Sequence, residues 1–192
     1  MTHGATVARS LAAAFLLAAA AAHAAWDVGA LMDLLRAHPP GRAHFNETRY
    51  VSILDRPLES SGELVFTPPD RLEKRVTSPG AERLVVDRER LVIERAGRRQ
   101  EMALADFPQV AVLIESVRGT LAGDREALER TYALALEGDP RAWRLELRPR
   151  DAALTRLVKR VEIQGSGAQV QRVAIEQADG DHSFMQITPE KP

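Results

Sequence analysis

The chain has 192 residues, with 26 basic and 27 acidic side chains, a formal net charge of -1 and no cysteine. That balance gives no field able to gather nucleic acid or an anionic membrane, and the lack of thiols excludes disulfides, thiol chemistry and cysteine metal sites. Nor does any phosphate-cradling glycine loop occur. His38, His44 and His182 are too far apart for a local metal motif, and Ser166 in Gln-Gly-Ser-Gly-Ala lacks the G-x-S-x-G spacing of a nucleophile elbow. Neither an enzyme nor a cofactor is expected.

In chain order, Arg9 precedes an apolar run from Leu11 to Ala22, with small residues at Ala22 and Ala24, which predicts a signal peptide over residues 1–24. The run is shorter than the roughly 20 residues that span a bilayer. Residues 25–192 are then expected to form one domain, with no lipid anchor of its own because no cysteine stands at the cleavage point. From Asp27, the residues Leu31, Leu34 and Leu35 mark one helical face that ends before Pro39-Pro40-Gly41. Period-two segments follow: Leu64 with Phe66, Leu84 with Val86, and Leu91 with Ile93.

Between Phe107 and Leu121 the period changes, because Val110, Leu113, Ile114, Val117 and Leu121 fall at helical spacing, and Val112 widens the band. A short helix capped by Asp124 follows, to Arg130. The remaining rows are strands: Tyr132, Leu134 and Leu136; then Trp143, Leu145 and Leu147 opposite Arg144, Glu146 and Arg148; then Val161 with Ile163, Val173 with Ile175, and Met185 with Ile187. The turns expected among them are Glu137–Pro140, Gly165–Gly167 and Asp179–Asp181, and Arg95, Arg98 and Arg99 around Gly97 suit another hairpin tip. Carboxylates such as Glu59, Glu63, Asp70 and Glu73 read as a solvated face. The expected order is a helix, about five strands, a helical insert and about five more strands. Such a sheet is apolar on one face only, and thin helical cover leaves either an ordinary core or a lined cavity.

The stretch from Ala43 to Leu91 reads AHFNETRY, then SGELVFTPPDRLEKRVTSP, then ERLVVDRERL, and in this it resembles the LolA family of lipoprotein carriers. Ala43 and Phe45 match its A-x-F-x-Q, with Glu47 in place of the glutamine, and Gly62 and Leu64 match its G-x-L. Pro69, the Thr77-x-Pro79 turn, and Leu84, Val85, Asp87 and Leu91 of L-V-x-D-G-x-x-L continue the pattern without a gap. Val65, Lys74 and Val92 stand where typical members place tryptophans, Arg88 replaces a glycine, and Pro68 replaces the arginine that latches the lid.

The resemblance implies an α+β, mainly β fold: a curved, incomplete antiparallel β-barrel of about eleven strands, with helices as a lid over an apolar cavity. It implies a monomeric carrier in a Gram-negative periplasm that shields acyl chains of a lipoprotein or a specialised envelope lipid. The cargo would pass from an inner-membrane donor complex to an outer-membrane acceptor. Burying acyl carbons gains about 0.8 kcal/mol per CH₂, and without a nucleotide site transfer must follow a gradient of affinity. The expected wall is Leu64, Phe66, Leu84, Val86, Leu91, Ile93, Trp143, Leu145 and Leu147, and the expected lid is Val110, Leu113, Ile114 and Val117. Pro68 offers no donor, so the lid is expected to close by apolar contact unless Arg71 or Arg75 reaches it. The rival functions are a lipid- or lipoprotein-sensing module, whose relatives carry a second domain, and a lipid-acting enzyme, for which no nucleophile and base are spaced.

Overall fold

A computed structural model describes residues 26–39 and 41–190; the signal-peptide reading of residues 1–24 lies outside the described residues. Helix α1 (Val28–Ala37) starts where the Asp27 carboxylate accepts the Ala30 N–H at 2.9 Å, and it buries Leu31, Met32 and Leu35. Six strands follow: β1 (Arg42–Tyr50), β2 (Leu58–Thr67), β3 (Arg71–Ser78), β4 (Glu82–Asp87), β5 (Arg90–Arg95) and β6 (Arg98–Ala103). A short helical turn leads into α2 (Pro108–Leu121) and α3 (Arg125–Thr131), the latter capped by Asp124. Then come β7 (Tyr132–Asp139), β8 (Ala142–Pro149), the single turn α4 (Ala152–Thr155), β9 (Val158–Ser166), β10 (Gln169–Gln177) and β11 (His182–Pro189).

All eleven strands form one antiparallel sheet in the order β6-β5-β4-β3-β2-β1-β11-β10-β9-β8-β7. Each half is a meander, and β1 joins them by pairing with β11. The sheet is curved but unclosed, with β6 and β7 as its edges, as expected of the fold.

Several local expectations are corrected. The first half has six strands, because β3 and β6 lack a clean apolar alternation; β3 sets Leu72, Lys74 and Val76 on one face and Arg71, Glu73 and Arg75 on the other. Gly165 lies within β9, not in a turn, and a side chain there would overlap the Trp143 ring and the Gln169 carbonyl. The β7 strand likewise runs on to Asp139, so that turn shrinks to Pro140 and Arg141. Helix α4, held by Asp151 accepting the Ala153 N–H at 2.6 Å, is too short to show periodicity. At Gly123 a positive φ of 64° closes the α2–α3 turn onto α1, where a Cβ would meet the Met32 carbonyl and Arg36.

The convex face is not uniformly solvated. Val85 and Val92 pair across β4 and β5 and are buried there, and Glu73, expected in solvent, is only 5 % exposed. Its carboxylate accepts from Arg83 at 2.7 Å, Arg75 at 2.5 Å and Arg71 at 3.3 Å. Arg83 also reaches Glu94, which in turn accepts from Arg99. Chiefly the Arg83 hydrogen bond, with help from Arg75, holds the Glu73 carboxyl at about 2, well below its ordinary 4.5. A lowered folded-state pKa stabilises above the unfolded value and is lost as pH falls through the folded one. Glu73→Gln should therefore cost about 3 kcal/mol at pH 7. Urea denaturation of both proteins should show that gap closing between pH 4.5 and 2; a gap constant across that window would show that the carboxylate's charge is not what stabilises.

Candidate functional site

Strand register places the inner-face side chains in rows. One runs Leu134, Leu147, Val161, Ile175, then Ser183 and Arg49; the next runs Leu136, Leu145, Ile163, Val173, Met185, then Glu47 and Ser60. Both are apolar from β7 to β10 and turn polar by β1. Glu47 pairs with Lys74 of β3 and accepts the Ser60 hydroxyl, and the Lys74 ammonium lies 4.9 Å from the centre of the Phe45 ring. An ion pair is thus built into the inner wall, at a position where the resembling family has apolar bulk.

Two apolar clusters lie on this face. The larger joins Leu145, Leu147, Val161 and Ile163 to Leu31, Met32 and Leu35 of α1 and Leu128 of α3; the smaller joins Val86, Leu91 and Leu104. Helix α2 bridges them. Val112, Leu113, Val117 and Leu121 belong with the larger cluster, while Val110, Ala111 and Ile114 pack on the smaller.

The helix is held unevenly along its length. The Tyr132 hydroxyl donates to the Val112 carbonyl at 2.6 Å, and burial pushes that phenol well above its ordinary pKa. Ser116 and Thr120 are fully buried, with hydroxyls bonded to Leu113 and Ser116 carbonyls one turn back. At the C-terminal end, Arg36 donates to the Gly123 carbonyl at 2.5 Å. The N-terminal end starts at Pro108 after Phe107, whose side chain makes no capping hydrogen bond. Neither Arg71 nor Arg75 reaches the helix; both serve the convex-face carboxylates. The cross-link comes from the helix itself, as Arg118 donates at 3.1 Å to the carbonyl of Arg88, which holds a left-handed φ of 55° in the β4–β5 turn where the family pattern has glycine.

Beside the less anchored end of α2 lies a groove of ≈ 540 Å³, lined by Val110, Leu113, Leu157 and Ile175 and by Glu47, Arg49, Arg156, Gln177, Asp179 and Ser183. Of the residues singled out in the sequence, Val110 and Leu113 line it. All four lid residues, Val110, Leu113, Ile114 and Val117, are half-buried, spaced i, i+3, i+4, i+7 along one stripe. Phe66, Val86, Leu91, Trp143, Leu145 and Leu147 are buried in the two clusters; Leu84 and Ile93 are half-buried beside the smaller, and Leu64 is half-buried on β2 opposite Ala43. Trp143 also borders a separate open concavity of ≈ 340 Å³ at the β7–β8 and β9–β10 turns, with its indole N–H given to the Gly167 carbonyl at 2.8 Å. The charged groove residues come from three separate segments, β1, the end of α4 and the β10–β11 turn, and were missed in the sequence. One signal was there, since Ala43, Phe45, Glu47 and Arg49 share a phase on β1. A grouping of His44, Glu63 and Glu190 lies on the convex face, where His44 faces Glu190 at 3.5 Å and Arg75 faces Glu63 at 3.8 Å, the pattern of surface ion pairing.

The sequence profile of the family described as "Outer membrane lipoprotein carrier protein LolA-like" matches residues 19–187. A search of curated proteins returns no match. Among solved structures, a LolA superfamily protein of Nitrosomonas europaea is similar at 12% identity over 86% of this chain and 93% of its own, with a TM-score of 0.45. The MucA/MucB complex of Pseudomonas aeruginosa is similar at 15% identity over 85% of this chain and 56% of that one, with a TM-score of 0.44. LprF of Mycobacterium bovis is similar at 11% identity over 84% of this chain and 91% of its own, with a TM-score of 0.37.

The uneven anchoring of α2 predicts graded protection from hydrogen exchange. Amides of Val112 to Ile114 should exchange faster than those of Arg118 to Leu121, and both faster than Leu145 in β8. Arg118→Ala should raise exchange throughout α2 while leaving β8 unchanged. Uniform slow exchange along α2 would mean that the helix is as fixed as the sheet.

Proposed function

This chain belongs to the LolA-like family of outer membrane lipoprotein carrier proteins, and on that footing we propose that it is a periplasmic carrier, exported by its N-terminal signal, that binds the acyl chains of a lipoprotein or other envelope lipid. The chain accepts cargo from an inner-membrane donor and yields it to an outer-membrane acceptor. One observation supports this above the others: the apolar stripe of α2 is left half-buried beside a groove, whereas Leu145, Leu147, Val161 and Ile163 of the sheet behind it are fully covered. A helix serving the core alone would bury that stripe, since each uncovered side chain forgoes on the order of 1 kcal/mol of burial.

In this reading the acyl chain lies against Val110, Leu113, Leu157 and Ile175, and the Leu84, Val86, Leu91 and Ile93 wall becomes accessible only as the N-terminal part of α2 lifts. The hydroxyl of Tyr132 on the Val112 carbonyl and Arg36 on the Gly123 carbonyl keep the rest of the helix in place. Binding draws on burial of apolar surface and release on a higher-affinity acceptor, so affinity must stay moderate.

The test is Leu113→Glu, because a carboxylate at a half-exposed position tolerates the empty state yet must be desolvated when an acyl chain enters. Titration with a fluorescent fatty acid should show at least about tenfold weaker binding, equivalent to about 1.4 kcal/mol, with an unchanged circular dichroism spectrum. Unchanged affinity in a folded variant would remove this groove as the acyl site. Leu145→Glu is the control for the core: Leu145 is fully buried, so this change should abolish folding.

A further inference from the structure

We infer that the groove beside α2 takes an amphiphile with an anionic head, phosphate or carboxylate, held by Arg49 and Arg156 at the polar end while its tail lies at the apolar end. This rests on the acyl-carrier reading above and adds the chemistry of the head.

The argument is one of gradient and charge. Across the inner face, the row Leu147, Val161, Ile175 turns into Ser183 and Arg49 within one groove, so an occupant aligned with it has one apolar and one polar end. Four formal charges line the groove: Glu47, Arg49, Arg156 and Asp179. Glu47 is matched by Lys74 and by the Ser60 hydroxyl. Asp179 accepts the Asp181 N–H at 3.0 Å, and neighbouring Asp181 accepts the Ser52 N–H at 2.8 Å. Arg49 and Arg156 are exposed, and among the described residues neither forms an ion pair, although most arginines of the sheet do. With Lys74 and with Asp181, whose carboxylate is within Coulombic reach of Arg49, the formal charges at the groove balance, and its positive charge stands on two guanidiniums that no carboxylate among the described residues bridges.

Two guanidiniums from elements far apart in sequence, one on β1 and one capping α4, suit one anion that both can face, because their planar forks match carboxylate and phosphate oxygens. The buried Ser183 adds a hydroxyl donor on the same lining. The groove volume falls within the usual range for small-molecule sites, about 300–1,000 Å³.

The test compares three ligands with one tetradecyl tail by isothermal titration: tetradecyl phosphate, tetradecanoic acid and uncharged tetradecyl maltoside. The full mature chain should bind both anionic ligands about tenfold more tightly than the maltoside, since charge-assisted hydrogen bonds exceed neutral ones. The double variant Arg49→Gln, Arg156→Gln should bring the anionic ligands down to the maltoside affinity and leave the maltoside unchanged. Arg49→Lys with Arg156→Lys should retain part of the preference. Equal affinity for all three ligands, unaltered in the double variant, overturns the head-group assignment while the acyl-carrier reading stands. Binding of none of them overturns the carrier reading. Millimolar inorganic phosphate should not displace tetradecyl phosphate; displacement would mark a site for the free anion and overturn the amphiphile.

Discussion

An unclosed sheet that is apolar on its concave side must hide that side from water, and in this protein the fourteen-residue helix α2 is the element that reaches both halves. The geometry places conflicting demands on it. Toward the larger cluster it packs as core, with Ser116 and Thr120 buried and their hydroxyls turned to its own backbone. Toward the groove it keeps an apolar stripe half-open. The helix satisfies both because its anchors are spread unequally: a phenol on Val112, an arginine on Gly123, a cross-link from Arg118, and no side-chain cap at Phe107. The orphan N–H groups of a helix's first turn have no intrahelical partner, so an uncapped start is where such a helix loosens first.

The two halves of the sheet are held by different means. From β7 to β10 the inner rows lie under α1 and α3, with Leu145, Leu147, Val158 and Val161 fully buried. From β4 to β6 the cluster contains three buried residues, Val86, Leu91 and Leu104, and much of the remaining cohesion lies in the ionic lattice around Glu73 on the opposite face. Exposed ion pairs contribute little individually, and Glu73 stands apart because it is buried beneath three guanidiniums. Local opening therefore costs least in the half whose apolar cover is thinnest, which is the half where α2 packs Val110, Ala111 and Ile114 on a small cluster and Arg118 ties it to a turn.

The fold was largely legible because its rows are written in local alternation: Trp143, Leu145 and Leu147 could face only one way, and the capped helices at Asp27 and Asp124 begin where their side chains dictate. The breaks in legibility share a cause. Strand β3 carries Lys74 inward and Glu73 outward, so its pattern shows charge on both faces, and the partner that makes each tolerable lies in another strand: Glu47 for Lys74, Arg83 for Glu73. Spacing within a segment cannot supply such a partner. The groove was illegible for the same reason, since Arg49, Arg156, Asp179 and Ser183 meet only through sheet register and the position of α4. Wall residues are ambiguous in another way, because the same Leu and Val rows serve a packed core or a lined cavity until the cover is known; here Leu145 is covered and Leu113 is half-open.

The polar turn in the inner rows also bounds how tightly a chain of this shape can hold an apolar guest. Each buried CH₂ gains about 0.8 kcal/mol, so a cavity lined by hydrocarbon throughout would bind longer chains ever more tightly and never yield them to an acceptor. In this sheet the apolar track from Leu147 through Ile175 runs into Ser183 and Arg49, and its neighbour from Val173 through Met185 runs into the Glu47–Lys74 pair. A methylene pressed against a paired carboxylate and ammonium gains little, and prising the pair apart leaves a charge without its partner in a half-buried wall, which costs more than the methylene returns. The useful length of the track is therefore fixed by where the charges stand. With Lys74 where the resembling family has apolar bulk, the hydrocarbon track is shorter, and in the proposed carrier role it is charge that settles affinity at the end of the groove.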